Sequence, residues 1–308
     1  MRSIASVLLA AAFLFLFGNF DIAGQKRRTP RITAASEPAI VFAVLNDGKL
    51  LEPVSAIAKG KLATVDMGPS DVKPAKAFLD RYFSPKKSYT ILFGGKPNGT
   101  ATVIRSNAGT DCGQNTAEVS SSSSAAPLKG LVMALATNAK IERPGSGIRR
   151  RPTSAEREEI EALVREEFRK QGTATAVLQK LRYHNLTALD LNNDGKVEFV
   201  GSYWVAAAKD ERQTLFFVAE QGSDGAYGLT YHEYDSVRSG DVMSGDVADM
   251  DTGILHELLL DVFDTDGDGT SEIFTIGQAF EGNNYYAYRK EGGTWKRIFE
   301  TYVYRCAY

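Results

Sequence analysis

Residues 187–205 read TALDLNNDGKVEFVGSYWV, and residues 258–280 read LLLDVFDTDGDGTSEIFTIGQAF. Asp190, Asn192, Asp194, Gly195 and Glu198 spell D-x-N-x-D-G-x-x-E. Asp264, Asp266, Asp268, Gly269 and Glu272 spell D-x-D-x-D-G-x-x-E, 74 residues further on (Asp190 to Asp264). At average residue usage such a window arises about once per 100,000 positions. The flanks repeat as well. Each acidic stretch follows one strand pattern and runs into another, EFVGSYWVA or EIFTIGQAF. A third follows (TLFFVAEQ, 214–221; NYYAYRKE, 284–291), then a glycine-containing turn and a fourth (LTYHEYDSV, 229–237; WKRIFETYVY, 295–304). Each copy therefore reads as a four-stranded antiparallel meander, and internal repeats of this length build blades or stacked sheets.

The spacing carries its own chemistry. Side chains at positions 1, 3 and 5 of a tight loop can converge on one centre. Glycine at position 6 takes the turn, because it tolerates backbone angles that other residues resist. Lys196 or Thr270 at position 7 can add a main-chain carbonyl, and Glu198 or Glu272 at position 9 can close the cage. Hard oxygen donors in this number suit Ca²⁺ better than Mg²⁺. Two unit charges about 4 Å apart repel by about 4 kcal/mol at an effective dielectric near 20, so four gathered acids favour a cation. The expectation is two Ca²⁺ sites. The ligands are Asp190, Asn192, Asp194, Lys196 and Glu198 in the first, and Asp264, Asp266, Asp268, Thr270 and Glu272 in the second. The second, with one more acid, is expected to be the tighter. EF-hands do not fit: position 12 is Gly201 or Thr275 instead of glutamate, and strands flank both loops.

Residues 185–305 resemble the FG-GAP/VCBS repeats, integrin-like β-propeller blades that hold Ca²⁺ in an inter-strand loop. The resemblance implies a calcium-binding module with a structural, adhesive or ligand-binding role. Two features depart from the family: Glu198 and Glu272 stand where aspartate is usual, and two blades do not close a propeller.

The rest of the chain is read from its own patterns. Arg2 and the apolar run Ile4–Phe17, with cleavage after Gly24, suggest a signal peptide at 1–24; an uncleaved anchor is the alternative. Residues 25–37 are basic and read as a flexible segment. Strand patterns at 39–45, 49–55, 88–94, 100–106 and 128–137, with turns at Asn46-Asp47-Gly48 and 95–99, suggest a small β domain over 38–140. Ser120–Ser124 reads as a loop and 141–152 as a linker. Thr153 with Glu156 forms a capping box, and Ile160, Val164 and Phe168 form one apolar face, so 153–172 is expected to be an amphipathic helix lying on a sheet. The fold expected is mainly β: a small N-terminal β domain, one linking helix and a C-terminal pair of four-stranded blade-like repeats at 182–308.

The 308 residues are 43% hydrophobic and 24% charged, which excludes a disordered chain, a collagen or a coiled coil. The net charge of −2 hides an asymmetry: residues 184–308 hold 22 acids against 9 bases, and the remainder is basic. Nothing global suggests nucleic acid, and no later apolar stretch is long enough to span a membrane. Cys112 and Cys306 are the two cysteines; the residues leave open whether they pair. His184, His232 and His256 form no metal motif and read as surface or strand residues. Tyr203, Trp204, Tyr285, Tyr286, Tyr288 and Trp295 read as core where they alternate inward and as a stacking surface where they do not. The function expected is an exported, secreted or periplasmic, non-catalytic calcium-binding module with a protein or glycan partner. The alternative is an exported hydrolase with its active site in a cleft between the two parts.

Overall fold

Turn sequences cut the first hundred described residues into short antiparallel strands: β1 (Ala39–Leu45), β2 (Leu50–Ala58), β3 (Lys61–Ala63), β4 (Ser88–Phe93), β5 (Lys96–Ser106), β6 (Ala117–Ser122) and β7 (Ala134–Thr137), with helix α1 (Lys76–Tyr82) between β3 and β4. The computed structural model describes residues 38–68 and 73–306. The expected signal peptide at 1–24 and basic segment at 25–37 lie outside the described residues. Neighbours run β1-β7-β4-β5-β6-β2, and β1 also pairs with β2, so six strands close a barrel, with β3 added beside β2. Closure leaves the ring without a free edge. Phe42, Val44, Leu51, Tyr89, Ile91 and Val103 share one buried cluster with Phe78 and Tyr82 of α1. The alternate residues Val41, Ala43 and Leu45 are buried in a second cluster. This is why AIVFAVL reads as an unbroken apolar run: both faces of β1 are covered.

Three details differ from the sequence expectation. The hairpin after β4 turns on Gly94-Gly95 instead of 95–99, with Lys96 opposite Phe93. Both glycines have positive φ, 62° and 70°, as a two-residue hairpin turn requires. The serine run forms a strand as far as Ser122, because Thr100–Thr102 of β5 supplies its partners; low complexity does not prevent pairing. The strand expected at 128–137 is confined to 134–137.

The segment 141–152, expected as a linker, is built into the fold. Gly145 N–H donates to the Gly95 carbonyl (2.8 Å) and Gly147 N–H to that of Gly94 (3.0 Å). A Cβ on Gly94 would lie 2.8 Å from the Gly147 carbonyl carbon, so the two backbones meet where side chains have no room. The segment ends in β8 (Arg149–Arg150) and enters helix α2 (Ser154–Lys170). Thr153 caps α2 as its sequence indicates: Glu156 N–H donates to Thr153 Oγ1 (3.3 Å), and Thr153 N–H donates to Glu156 Oε2 (2.7 Å). Thr153→Ala should cost about 1 kcal/mol, read as a shift in urea midpoint; an unchanged midpoint would show that packing alone holds the helix.

A short helix α3 (Thr175–Leu178) leads to the two meanders: β9 (Arg182–Leu189), β10 (Glu198–Ala208), β11 (Glu211–Gln221) and β12 (Tyr227–Arg238), then β13 (Glu257–Phe263), β14 (Glu272–Gln278), β15 (Gly282–Glu291) and β16 (Thr294–Tyr304). Both are antiparallel throughout; the second has four strands, and β8 makes the first five-stranded. The architecture is mainly β, as expected. Among the described residues no helix is long and apolar enough to cross a membrane.

Side-chain clusters give the layer order. Ile160, Val164 and Phe168 of α2 cover one face of the first meander, against Phe199, Tyr203 and Phe217. Its other face, Val200, Phe216 and Val218, packs on Val262, Ile273, Tyr288 and Trp295 of the second meander. The second meander's far face, Leu258, Phe274, Ile276 and Tyr285, packs on Val41, Ala43, Leu92 and Leu135 of the barrel. The order is therefore barrel, second meander, first meander, α2. Burial on both faces also explains the aromatic residues: Tyr203, Trp204, Tyr285, Tyr288 and Trp295 are all buried, and only Tyr286 is partly exposed. Cys112 and Cys306 form a disulfide, joining the β5–β6 connection to the end of β16.

Candidate metal loops and clefts

Each meander makes its first turn through an acidic loop, and four hydrogen bonds recur at equivalent positions of the two loops. Asp190 Oδ2 accepts from Gly195 N–H (3.2 Å), and Asp264 Oδ2 from Gly269 N–H (3.0 Å). Asn192 Oδ1 accepts from Asp194 N–H (3.0 Å), and Asp266 Oδ1 from Asp268 N–H (3.2 Å). Asp194 Oδ1 accepts from Lys196 N–H (2.8 Å), and Asp268 Oδ1 from Thr270 N–H (2.7 Å). Glu198 Oε2 accepts from Leu191 N–H (2.8 Å), and Glu272 Oε2 from Thr265 N–H (2.7 Å). Positive φ falls at matching places too, Asn193 with Gly267 and Gly195 with Gly269. Short acidic side chains thus hold the loop backbone, Asp190 and Asp264 with both of their oxygens.

The second loop gathers its carboxylates. One oxygen from each of Asp264, Asp266 and Asp268 lies within 4.8 Å of the others, and this is the one such trio among the described residues. In the first loop, Asn192 Nδ2 donates to Asp194 Oδ2 (3.2 Å) and takes up part of the available oxygen. Asp190 is buried, as are both glutamates, whereas Asp266 and Asp268 are exposed. Glu198 and Glu272 are buried behind their loops and brace the backbone. Burial pushes the Glu198 carboxyl up to about 7, and it raises Glu272 as well. Asp264 is also raised, first by burial and then by the Asp268 and Asp266 charges. Lys196 and Thr270 contribute the N–H bonds given above.

Sequence reading missed Arg289, on β15. Its Nε donates to Glu272 Oε1 (2.6 Å), its Nη1 lies 3.2 Å from Asp266 Oδ2, and its Nη2 donates to the Gly60 carbonyl (3.1 Å). One guanidinium thus offsets part of the acidic charge and ties the second loop to the β2–β3 turn. No signal in the sequence marks it, since it lies 17 residues past Glu272.

No family model, curated protein or solved structure matches this chain.

The histidines depart from expectation at one position. His232 is partly exposed beside Glu167, but His256 is 1% exposed. The His256 and His184 rings lie 4.4 Å apart between centroids, and His184 stacks on Trp204. Burial, with His184 adding, pushes His256 down to about 3, so it is neutral near pH 7. A cleft of about 570 Å³ opens where the barrel meets the first meander. Arg149, Arg150, Arg151, Arg157, Tyr183 and Leu131 are among the residues that line it, and no carboxylate, serine or cysteine does.

Proposed function

We propose that this protein is an exported calcium-binding repeat protein whose stacked meanders present a rigid surface to a protein or glycan ligand. The observation that carries the reading is the Asp264, Asp266 and Asp268 trio, held in a loop whose bonding pattern recurs at 190–198. Three hard oxygens in one small space suit a cation that takes six to eight of them. The resemblance to FG-GAP/VCBS blades supports the same metal and a non-catalytic role. The Cys112–Cys306 pairing supports export, because such bonds persist in oxidising compartments. Positions 1, 3 and 5 would hold the ion, with Glu198 and Glu272 bracing from behind. The second loop would bind more tightly, having an aspartate where the first has Asn192.

An ion bound only to the folded chain becomes folding energy, about 2.7 kcal/mol per site at 100 times Kd. Calcium should therefore raise the melting temperature of the full chain, and Asp266→Ala with Asp194→Ala should abolish the rise. A melting temperature indifferent to calcium in the unaltered chain would reject the metal. The alternative, a hydrolase working in a cleft, finds no nucleophile–carboxylate set in the 570 Å³ cleft; what favours it is a smaller cleft between the meanders, where His256 stands with Glu233, Asp235 and Glu257.

A further inference from the structure

β8 stops short and leaves one edge of the first meander open. It borders β9 only at Leu189 and Ala188, which lie opposite Arg149 and Arg150. Carried further, β8 would run past Thr187 and Leu186. Pro152 prevents this, because it has no N–H to give to a ladder, and the chain turns away into α2. Among the described residues no strand pairs with 183–187 on that side. An edge with unpaired N–H and C=O groups is a template for another extended chain. The space beside this edge is free: residues 183–187 all line the cleft of about 570 Å³.

The walls restrict what such a chain carries. Side chains of an added strand alternate between the two faces of the sheet. α2 covers one face, and the barrel lies beyond the other. On the α2 side the Arg157 guanidinium stands 4.6 Å from the centre of the Tyr183 ring. Arg157 and Arg165 share Glu161, at 3.2 and 2.9 Å, so one positive charge is left over. Arg150 is committed to Glu156 and Arg149 to Asp261. Arg151 also lines the cleft; it is exposed, and among the described residues no acid pairs with it. The barrel side offers Leu131, Val132 and Phe93. Leu131 and Tyr183 are 44% and 42% exposed, which is uncovered apolar surface on both walls. The edge supplies backbone bonds, the arginines select carboxylates, and the barrel wall selects apolar side chains. The chain's own residues 25–37 are basic and do not fit that charge.

We propose that β9 takes up an extended acidic peptide of a partner protein as an added strand, with its carboxylates on Arg151 and Arg157 and its apolar side chains on Leu131 and Val132. This rests on the ligand-binding half of the function proposed above, commits it to a protein, and does not use the metal. The test is fluorescence anisotropy with the full disulfide-bonded chain, in calcium and in EDTA. The probe is a labelled peptide of about six residues alternating glutamate and valine, long enough at about 3.4 Å per residue to pass the open edge. The controls are a lysine–valine peptide, the glutamate–valine peptide N-methylated throughout, and tetragalacturonate. N-methylation removes the backbone donors and leaves charge and side chains as they were. The acidic peptide should bind, with the lysine and methylated peptides weaker by about tenfold or more. Arg151→Glu and Leu131→Asp should each weaken it by about tenfold or more. Both positions are exposed, and near-UV circular dichroism confirms that each variant is folded. The proposal is overturned if the acidic peptide fails to bind up to about 1 mM, or if either control peptide binds as well. It is equally overturned if tetragalacturonate binds better, or if either folded variant binds like the unaltered chain. Peptide binding without a calcium response would remove the metal and leave this site. Preference for tetragalacturonate would remove this site and leave a glycan ligand.

Discussion

Cys112→Ser with Cys306→Ser is expected to remove about 5 kcal/mol of stability. The bond spans 194 residues of sequence, so it closes a very long loop. In the chain-entropy account, a cross-link restricts the unfolded ensemble more as the loop lengthens, and a loop of this size is worth about 5 kcal/mol. The folded state adds to the effect. Arg305, next to Cys306, donates from Nε to Glu52 Oε1 (3.0 Å), and Glu52 also accepts from Asn283 Nδ2 (2.8 Å) inside the barrel–meander interface. Freeing the end of β16 loosens that network too. Urea unfolding of the oxidised chain against the double variant measures the difference, after mass spectrometry confirms pairing. Free thiols in the oxidised chain, or equal unfolding midpoints, would refute the account.

Arg149→Leu is expected to cost about 3–5 kcal/mol, because it strands a buried carboxylate. The Arg149 and Asp261 side chains are 6% and 0% exposed, with Nη1 3.5 Å from Oδ1. Arg149 Nη1 also donates to the Leu260 carbonyl (2.7 Å), its guanidinium lies over Phe93, and Asp261 Oδ1 accepts from Gly94 N–H (3.0 Å). One ion pair thus fastens β8, the second meander and the barrel together. Replacing both residues by leucine should recover much of the loss, since a buried pair repays little more than its own desolvation.

The pH dependence has a defined sign. Burial pushes Asp261 up to about 6, with Arg149 pulling the other way. A carboxyl raised on folding contributes stability that is complete below about pH 4 and fades as pH rises through about 6. Without Arg149, ionising Asp261 costs still more. The Arg149→Leu deficit should therefore be larger near pH 8 than near pH 5, as read from urea midpoints. An equal deficit at both would mean that lost packing on Phe93, and not the stranded charge, is responsible.

The legible parts of this molecule were those written in local spacing. The 74-residue offset from Asp190 to Asp264 fixed both meanders and both loops, because alternation and turn glycines act over a few residues. Thr153 and Glu156 announced α2 for the same reason. The barrel closure was not legible: β1 pairs with β7 nearly a hundred residues away, and periodicity carries no register over that distance. Arg149 read as one of several basic linker residues, since nothing nearby shows that Asp261 awaits it. His256 looked like an ordinary strand residue, because its burial comes from the stacking of sheets and not from its neighbours in sequence. Arg289 escaped for a similar reason, as its partners lie on β14, on a loop and on the barrel.

The spatial order of the layers does not follow the order of synthesis. Residues 257–304 leave the ribosome after the barrel and the first meander, yet they become the filling between those two. Until they arrive, both earlier parts present an apolar face with nothing to cover it. Assembly of the stack must therefore wait until this later stretch has been synthesised. A premature stop codon before residue 257 would leave two sticky halves in need of a chaperone.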